Sequence, residues 1–381
     1  MKVAILTSYF YHQTKEFDGE DRIIFGGAER LLFELCKFLQ SEGHEATVFQ
    51  PLPMNDLKKQ YTTIEKDYRG MKIVCLPTSD KWEYSTSPGL NYTFNEMAIW
   101  HDLRIYFASF MCFPEVRHPA ISISHGIFWD FPNHLVRQGT PEQRAEFFRR
   151  QMYGFTAPDA CVAVDTNVRG VIAAMEPGSE ANVHVIPNFV NTKVFKPLEP
   201  GKKDWTRPRI LYPRRLSTVR GINHFIKLTS QFPDCDFLVC GNGTDASMEA
   251  QLRQWSQGHN NIQAVWRPME GMEEIYQMAD IAVVPTVSAE GTSLSLLEAM
   301  STGLPIITTP AGGLPNLVIP EYNGIVVDLN HGELAPALAR LLKHPKLAAK
   351  MGRRSRQMAV DSFDISIWYK RWREVINKVV K

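Results

Sequence analysis

The sequence is sparing in cysteine, in net charge and in long apolar runs. Its six cysteines (Cys36, Cys75, Cys112, Cys161, Cys235 and Cys240) are scattered, and none forms a Cys-x-x-Cys pair. That spacing gives neither a zinc site nor a disulfide framework, and core packing in a reducing compartment is the simplest account. Lysine and arginine total 42 against 41 acids, a net charge of +1, so no global field draws in nucleic acid. No apolar stretch reaches the ~20 residues that span a bilayer. Lys2 leads directly into VAILT and then polar residues, so no export signal is expected and the location is expected to be cytoplasmic. What is present is a globular composition, 44% apolar and 22% charged, at a length of 381 residues that suits two domains.

Short apolar runs alternate with helical patterns, which predicts an α/β fold of doubly wound parallel sheets. Residues 2–7 read as a strand, and the loop after it ends at Phe25-Gly26-Gly27. A helix follows to about Ser41, with Ala28, Leu31, Leu32, Leu35, Cys36 and Leu39 on one face, and HEATVFQP begins a second strand. In this βαβ unit Gly26 and Gly27 let the backbone approach a ligand at a helix start. Further strands are predicted at 71–76, 120–124, 160–164 and 183–186. Residues 80–100 lack a clear period and read as an insertion. The strand ISIS ends in His125-Gly126, followed by the aromatic run Phe128-Trp129-Asp130-Phe131. A histidine there points at the usual ligand crevice and can donate a proton or a hydrogen bond near neutral pH.

Residues 141–155 form a helix with Arg144, Arg149, Arg150, Phe147 and Phe148. It either packs its aromatics and solvates its arginines or makes a peripheral membrane contact. Residues 187–208, with four prolines, read as a linker. A second domain then takes strands at 209–212, 237–240, 262–266, 281–284, 305–308 and 325–327, with helices at about 331–342 and 345–360. Trp368, Trp372, Val375, Ile376 and Val379 recur at helical spacing in a last helix. The expected domains are 1–190 and 191–362, with a helix at 363–381 crossing back to the first.

The most informative stretch is Ala289–Met300, AEGTSLSLLEAM. Ser293 suits an N-cap, and the unpaired N–H groups of the helix start can hold a phosphate. Glu290 and Glu298 would lie about 12 Å apart on a helical path. A glycosidase pair faces across about 5–9.5 Å, so one carboxylate at each end of an extended ligand is the better use. Otherwise Glu290 is a loop acid and Glu298 a solvated helix residue. Arg214 and Arg215 end a strand and Arg220 precedes a helix, so guanidinium groups meet at one strand end and can grip a diphosphate. Gly241-Asn242-Gly243-Thr244-Asp245-Ala246 fits GxGxxA, yet no acid closes the next strand; we read Gly241 and Gly243 as a tight turn lining the crevice. Asp234-Cys235-Asp236 matches DxD but sits at a strand's entrance, and no metal is expected.

Taken in order, GGAE at 26–29, His125-Gly126, IPNFVNTKVFKP at 186–197, RRLSTVRG at 214–221, EGTSLSLLE at 290–298 and AGGLPNLV at 311–318 resemble the family 4 retaining glycosyltransferases of the GT-B fold. The resemblance implies two Rossmann-like domains facing across a deep cleft that holds a nucleoside diphosphate sugar, UDP-linked for choice, without a metal. It implies that Arg215 and Arg220 bind the diphosphate, Glu298 the ribose and Glu290 the sugar. Backbone amides of Gly291, Thr292, Ser293 and Leu294 would contact sugar and phosphate. Gly26, Gly27 and His125 would approach from the first domain, and the base would lie near Arg267 to Met269. Four positions depart from the family: Phe189 replaces the glycine of its IPNG turn, Arg214 its glycine before the arginine, Arg220 its lysine and Asn316 its acid. The implied activity is hexosyl transfer to a sugar, lipid-linked glycan or other hydroxyl acceptor. A nucleotide-sugar 2-epimerase and a non-catalytic sugar-nucleotide binding protein are the alternatives.

Overall fold

The computed structural model describes the chain except residues 9, 14–20, 24–25, 53–62, 78–82, 85, 128–138, 200–205, 242–245, 259 and 266–270. Two compact units emerge. The first comprises Met1–Ile186 and Tyr369–Lys381, the second Pro187–Trp368.

The first unit holds strands β1 (Lys2–Leu6), β2 (Tyr11–Gln13), β3 (Asp21–Ile23), β4 (Glu45–Pro51), β5 (Ile64–Tyr68), β6 (Met71–Leu76), β7 (Leu103–Tyr106), β8 (Ala120–Ser124), β9 (Ala160–Ala163) and β10 (Val183–Val185). Its helices before the second unit are α1 (Gly27–Ser41), α2 (Pro88–Met97), α3 (Pro141–Thr156) and α4 (Thr166–Met175). The main sheet runs β10-β9-β8-β7-β1-β4-β6-β5, and β2 and β3 form a separate ribbon. Among the described residues only β5 pairs antiparallel within the main sheet, at its edge. Strands β7, β8 and β9 are buried throughout, because helices cover both faces of a parallel sheet and leave no solvated side. Chain order reverses between β1 and β7, where α/β sheets bind ligands.

Several local expectations change here. Residues 88–97 are helix α2, not an unpatterned insertion. Ser87 accepts from Leu90 N at its start, Pro88 holds the first turn, and Leu90, Asn91, Phe94 and Asn95 are buried. Helix α1 buries Leu31, Leu32, Leu35, Cys36, Phe38 and Leu39, while Ala28 is exposed. In α3 a capping box joins Thr140 and Gln143, Phe147 is buried, and Glu146 accepts from Arg149 (2.8 Å) and Arg150 (2.6 Å). Among the described residues no helix is long and apolar enough to cross a membrane. All six cysteines are buried thiols outside any disulfide, and burial pushes Cys36 and Cys161 up to about 12.

The second unit holds β11 (Arg209–Tyr212), β12 (Asp236–Val239), β13 (Ile262–Ala264), β14 (Ile281–Val284), β15 (Ile306–Thr308) and β16 (Gly324–Val326). They form one parallel sheet, β13-β12-β11-β14-β15-β16, which reverses order between β11 and β14. Its helices are α5 (Ile222–Gln231), α6 (Ala246–Gly258), α7 (Met272–Gln277), α8 (Leu294–Ser301), α9 (Leu334–Lys343) and α10 (Pro345–Phe363). One core gathers Ile210, Tyr212, Phe225, Phe237 and Leu338; the other gathers Leu211, Leu238, Leu296, Leu297 and Leu314.

The expected linker is part of this unit in its first half. Phe189, Val190 and Phe195 are buried, and Val190 exchanges backbone bonds with Phe363 and Ile365. Its middle, residues 200–205, lies outside the described residues. Asp236 of the DxD triplet opens β12 and pairs with Arg207 (3.1 Å). Helix α11 (Ile365–Val379) passes from the second unit into the first. Trp368 meets Phe189 at 4.7 Å in the second; Tyr369 stacks on Phe38 at 5.0 Å in the first.

Candidate functional site

Two loops leave the switch point of the second unit, one after β11 (residues 213–221) and one after β14 (residues 285–293). Val287 N donates to the Val219 carbonyl (3.0 Å), stitching one to the other. From β11 the Tyr212 hydroxyl reaches the carbonyls of Arg215 (3.1 Å) and Arg220 (3.2 Å), bracing the arginine loop from beneath.

Glu290 is the centre of this cluster. Its Oε2 accepts from Arg214 Nη2 (2.5 Å) and from Arg220 Nη1, which also donates to the Ala289 carbonyl (3.1 Å). Arg214 Nη1 donates to Ser293 Oγ (3.1 Å). Burial lowers the pKa of Arg220 from its ordinary value, since desolvation disfavours the charged form, while Glu290 opposes that shift. Arg215 is exposed on the same loop and does not join this cluster.

Close backbone packing makes the arrangement possible. A Cβ on Gly241 would lie 2.0 Å from the Arg214 carbonyl, so only glycine lets the backbone at 241 sit against the arginine loop. Gly312 does the same for Glu290: φ is +52°, and a Cβ would meet the Glu290 carbonyl at 2.0 Å. Gly313 N then donates to that carbonyl (2.8 Å).

Ser293 caps α8 as expected, its Oγ accepting from Leu296 N (3.4 Å). The first turn of α8 has no acidic residue, which suits an anion at its first N–H groups. Gly291 and Leu294 are partly exposed beside it, but Thr292 is buried. Its Oγ1 accepts from Asn188 N (2.8 Å) and its carbonyl from Asn188 Nδ2 (2.5 Å), so this side chain positions the loop. Glu298 is 4% exposed and not a solvated helix residue; its Oε2 accepts from the Tyr276 hydroxyl (2.5 Å). Among the described residues, Thr286 Oγ1, Ser288 Oγ and Asn188 Oδ1 around this loop are buried without a hydrogen-bond partner. Buried polar atoms are normally satisfied, so the concentration marks a place where ligand or water completes the bonding.

In the first unit, Gly26 caps α1 in an extended conformation and Gly27 begins the helix, exposed. His125 is partly buried and its Nε2 meets the Phe107 carbonyl at 2.6 Å. A carbonyl only accepts, so Nε2 carries the proton and Nδ1 is a bare lone pair. Burial lowers the His125 pKa to about 4. Burial thus favours the neutral ring, whose Nδ1 can accept from a hydroxyl.

The structure thus brings Arg220, Glu290 and Ser293 together through Arg214, holds Glu298 separately on α8 against Tyr276, and places Gly26, Gly27 and His125 in the other unit. Arg267 and Met269 lie outside the described residues, as do Phe128 to Phe131 and Asn242 to Asp245. Sequence reasoning named Arg214 among the guanidinium groups without seeing its bond to Glu290, and it missed Asn188 and Tyr276. Arg214 was signalled only by the Arg-Arg doublet and Asn188 only by the IPNF run, while Tyr276 carried no signal.

Two α/β units built on parallel sheets, each with its own switch point, have the architecture of the GT-B class. A profile described as glycosyl transferases group 1 matches residues 196–358, and one described as Glycosyltransferase Family 4 matches residues 25–194. The chain belongs to glycosyltransferase family 4. It is 26% identical over 248 residues to alpha-maltose-1-phosphate synthase of Mycolicibacterium smegmatis, a match covering 58% of this chain and 64% of that protein. Sucrose-phosphate synthase from Thermosynechococcus elongatus shares the fold at a TM-score of 0.74 and 18% identity, over 99% of this chain and 98% of its own. Anabaena HepE in complex with UDP-glucose does so at 0.74 and 16% identity, over 99% and 100%.

Proposed function

We propose that the second unit binds a nucleoside diphosphate sugar and that the protein moves the sugar to a hydroxyl acceptor, with retained anomeric configuration and without a metal ion, in glycan or glycolipid assembly. The observation that carries this reading is the convergence of Arg214, Arg220 and Glu290 on the capped start of α8. The UDP-glucose bound by the similarly folded HepE makes UDP the first base to test.

The roles follow from charge. The diphosphate takes the free N–H groups of α8 together with Arg220 and the exposed Arg215. When the bond from sugar C1 to the phosphate oxygen breaks, negative charge builds on that oxygen. A guanidinium about 4 Å away contributes about 4 kcal/mol at an effective dielectric of 20. Because the donors are fixed beforehand, they stabilise the transition state more than the bound substrate. These cations supply the charge that a metal would otherwise provide. The acceptor oxygen bonds to C1 on the face the phosphate leaves, and its proton passes to the departing phosphate. Glu290 accepts from a sugar hydroxyl and Glu298 from the ribose.

Thermal unfolding measured against UDP-, GDP- and ADP-sugars tests this. A matching donor at 100 times its Kd should add about 2.7 kcal/mol of stability. No shift with any of them would overturn the reading. Arg220→Ala is expected to lower turnover more than donor affinity.

A further inference from the structure

Arg214 differs from its two neighbours in placement. Its side chain is 7% exposed, against 25% for Arg220, and Arg215 is exposed. Its guanidinium spans two elements, giving Nη2 to Glu290 Oε2 (2.5 Å) and Nη1 to Ser293 Oγ (3.1 Å) at the cap of α8. Arg220 Nη1 falls on the same carboxylate oxygen, so neither guanidinium donates to Oε1. The main chain of Arg214 is held as well, by the close approach of Gly241 to its carbonyl. A planar fork locked at both prongs and at its own backbone leaves the Glu290 carboxylate little freedom to turn.

We infer that Arg214 is a positioning residue for the donor sugar: it fixes Glu290 by Oε2 and leaves Oε1 as the oxygen offered to a sugar hydroxyl. The arrangement also divides labour. With Arg214 as a second counter-ion on Glu290, the remaining N–H groups of Arg220 are available to the diphosphate. Arg214 therefore acts on the sugar half of the donor and Arg220 on the phosphate half. This assignment rests on the reading of the donor as a nucleoside diphosphate sugar.

Calorimetry on the full chain separates the two halves. The probes are UDP-glucose, GDP-mannose and ADP-glucose, each beside its sugar-free diphosphate. For the pair that the wild type binds, Arg214→Gln should weaken the sugar-bearing ligand about tenfold and change the diphosphate less than about twofold. Arg220→Ala should weaken both alike. Because Arg214 works through Glu290, the double variant Arg214→Gln, Glu290→Gln should bind donor within about threefold of Glu290→Gln alone. Arg214→Lys keeps the charge but not the fork and should fall between wild type and Arg214→Gln; it carries the same comparison if the glutamine variant does not fold. A loss of diphosphate affinity in Arg214→Gln equal to its loss of donor affinity would overturn the inference. So would losses that multiply in the double variant. A wild type that binds none of the six ligands would instead overturn the donor reading beneath it.

Discussion

Single side chains at the switch point carry separable consequences. Glu298 is buried, and the Tyr276 hydroxyl is a donor to it. Tyr276→Phe removes that donor, and a buried acceptor left short costs about 1–3 kcal/mol. Urea melts should register that loss, and calorimetry should register weaker donor binding. Unchanged donor affinity in both Tyr276→Phe and Glu298→Ala would sink the ribose assignment. His125 gives a prediction in pH. Its folded pKa is lowered to about 4 from 6.5. Above pH 6.5 the ring is neutral in both folded and unfolded chains, so its stability contribution is then complete. As pH falls from 6.5 towards 4, the unfolded chain gains a proton that the folded chain does not. Stability then declines across that window, by up to about 3 kcal/mol. Melts at stepped pH should give His125→Asn a shallower decline than wild type. Burial lowers His44, His101, His184 and His224 in the same direction, so some slope persists.

At the scale of elements, the loops are only as good as the glycines that let them touch. Gly312→Ala forces a Cβ into the Glu290 carbonyl and should displace it. Gly332 has a φ of +67° with no atom within 4 Å of its missing Cβ. Gly332→Ala should therefore cost only the left-handed strain, about 1–2 kcal/mol. Gly312→Ala should cost more and weaken donor binding besides; equal melting losses in the two would refute the close-packing account. The same scale explains what was readable in the sequence. Strand β14 was legible because burial on both faces makes it a continuous apolar run. Strand β7 was not, because Arg104 interrupts LRIY; its guanidinium is accommodated by the carbonyls of Ala98, Ile99 and His118. Edge strand β5 reads IEKDY and looks like a polar loop. Helix α2 hid its period because Asn91 and Asn95 occupy buried positions, where they donate to the carbonyl of Glu115. The E-x7-E stretch and arginine loop were visible as motifs, but the Asn188 clamp on Thr292 joins positions 104 apart and only the fold reveals it.

For the whole molecule, the division into units separates stability from binding. In the first unit Trp372, Val375 and Ile376 are buried, and Arg373 forms a two-pronged pair with Glu42 (2.7 and 2.8 Å). Trp372→Ala should cost about 3–5 kcal/mol by urea melt. Donor affinity of the remaining folded protein, measured by calorimetry, should not move; a matching loss of affinity would mean that the units do not separate in this way. The second unit is one uninterrupted stretch of chain, whereas the first waits for residues 369–381. On a ribosome adding about 5–20 residues per second, the interval from residue 186 to residue 369 is on the order of ten to forty seconds. Throughout it Phe38, Glu34 and Glu42 stand without the partners that Tyr369 and Arg373 later bring. The half translated first is the half completed last, and any stop short of the final helix leaves an apolar seam for chaperones to guard.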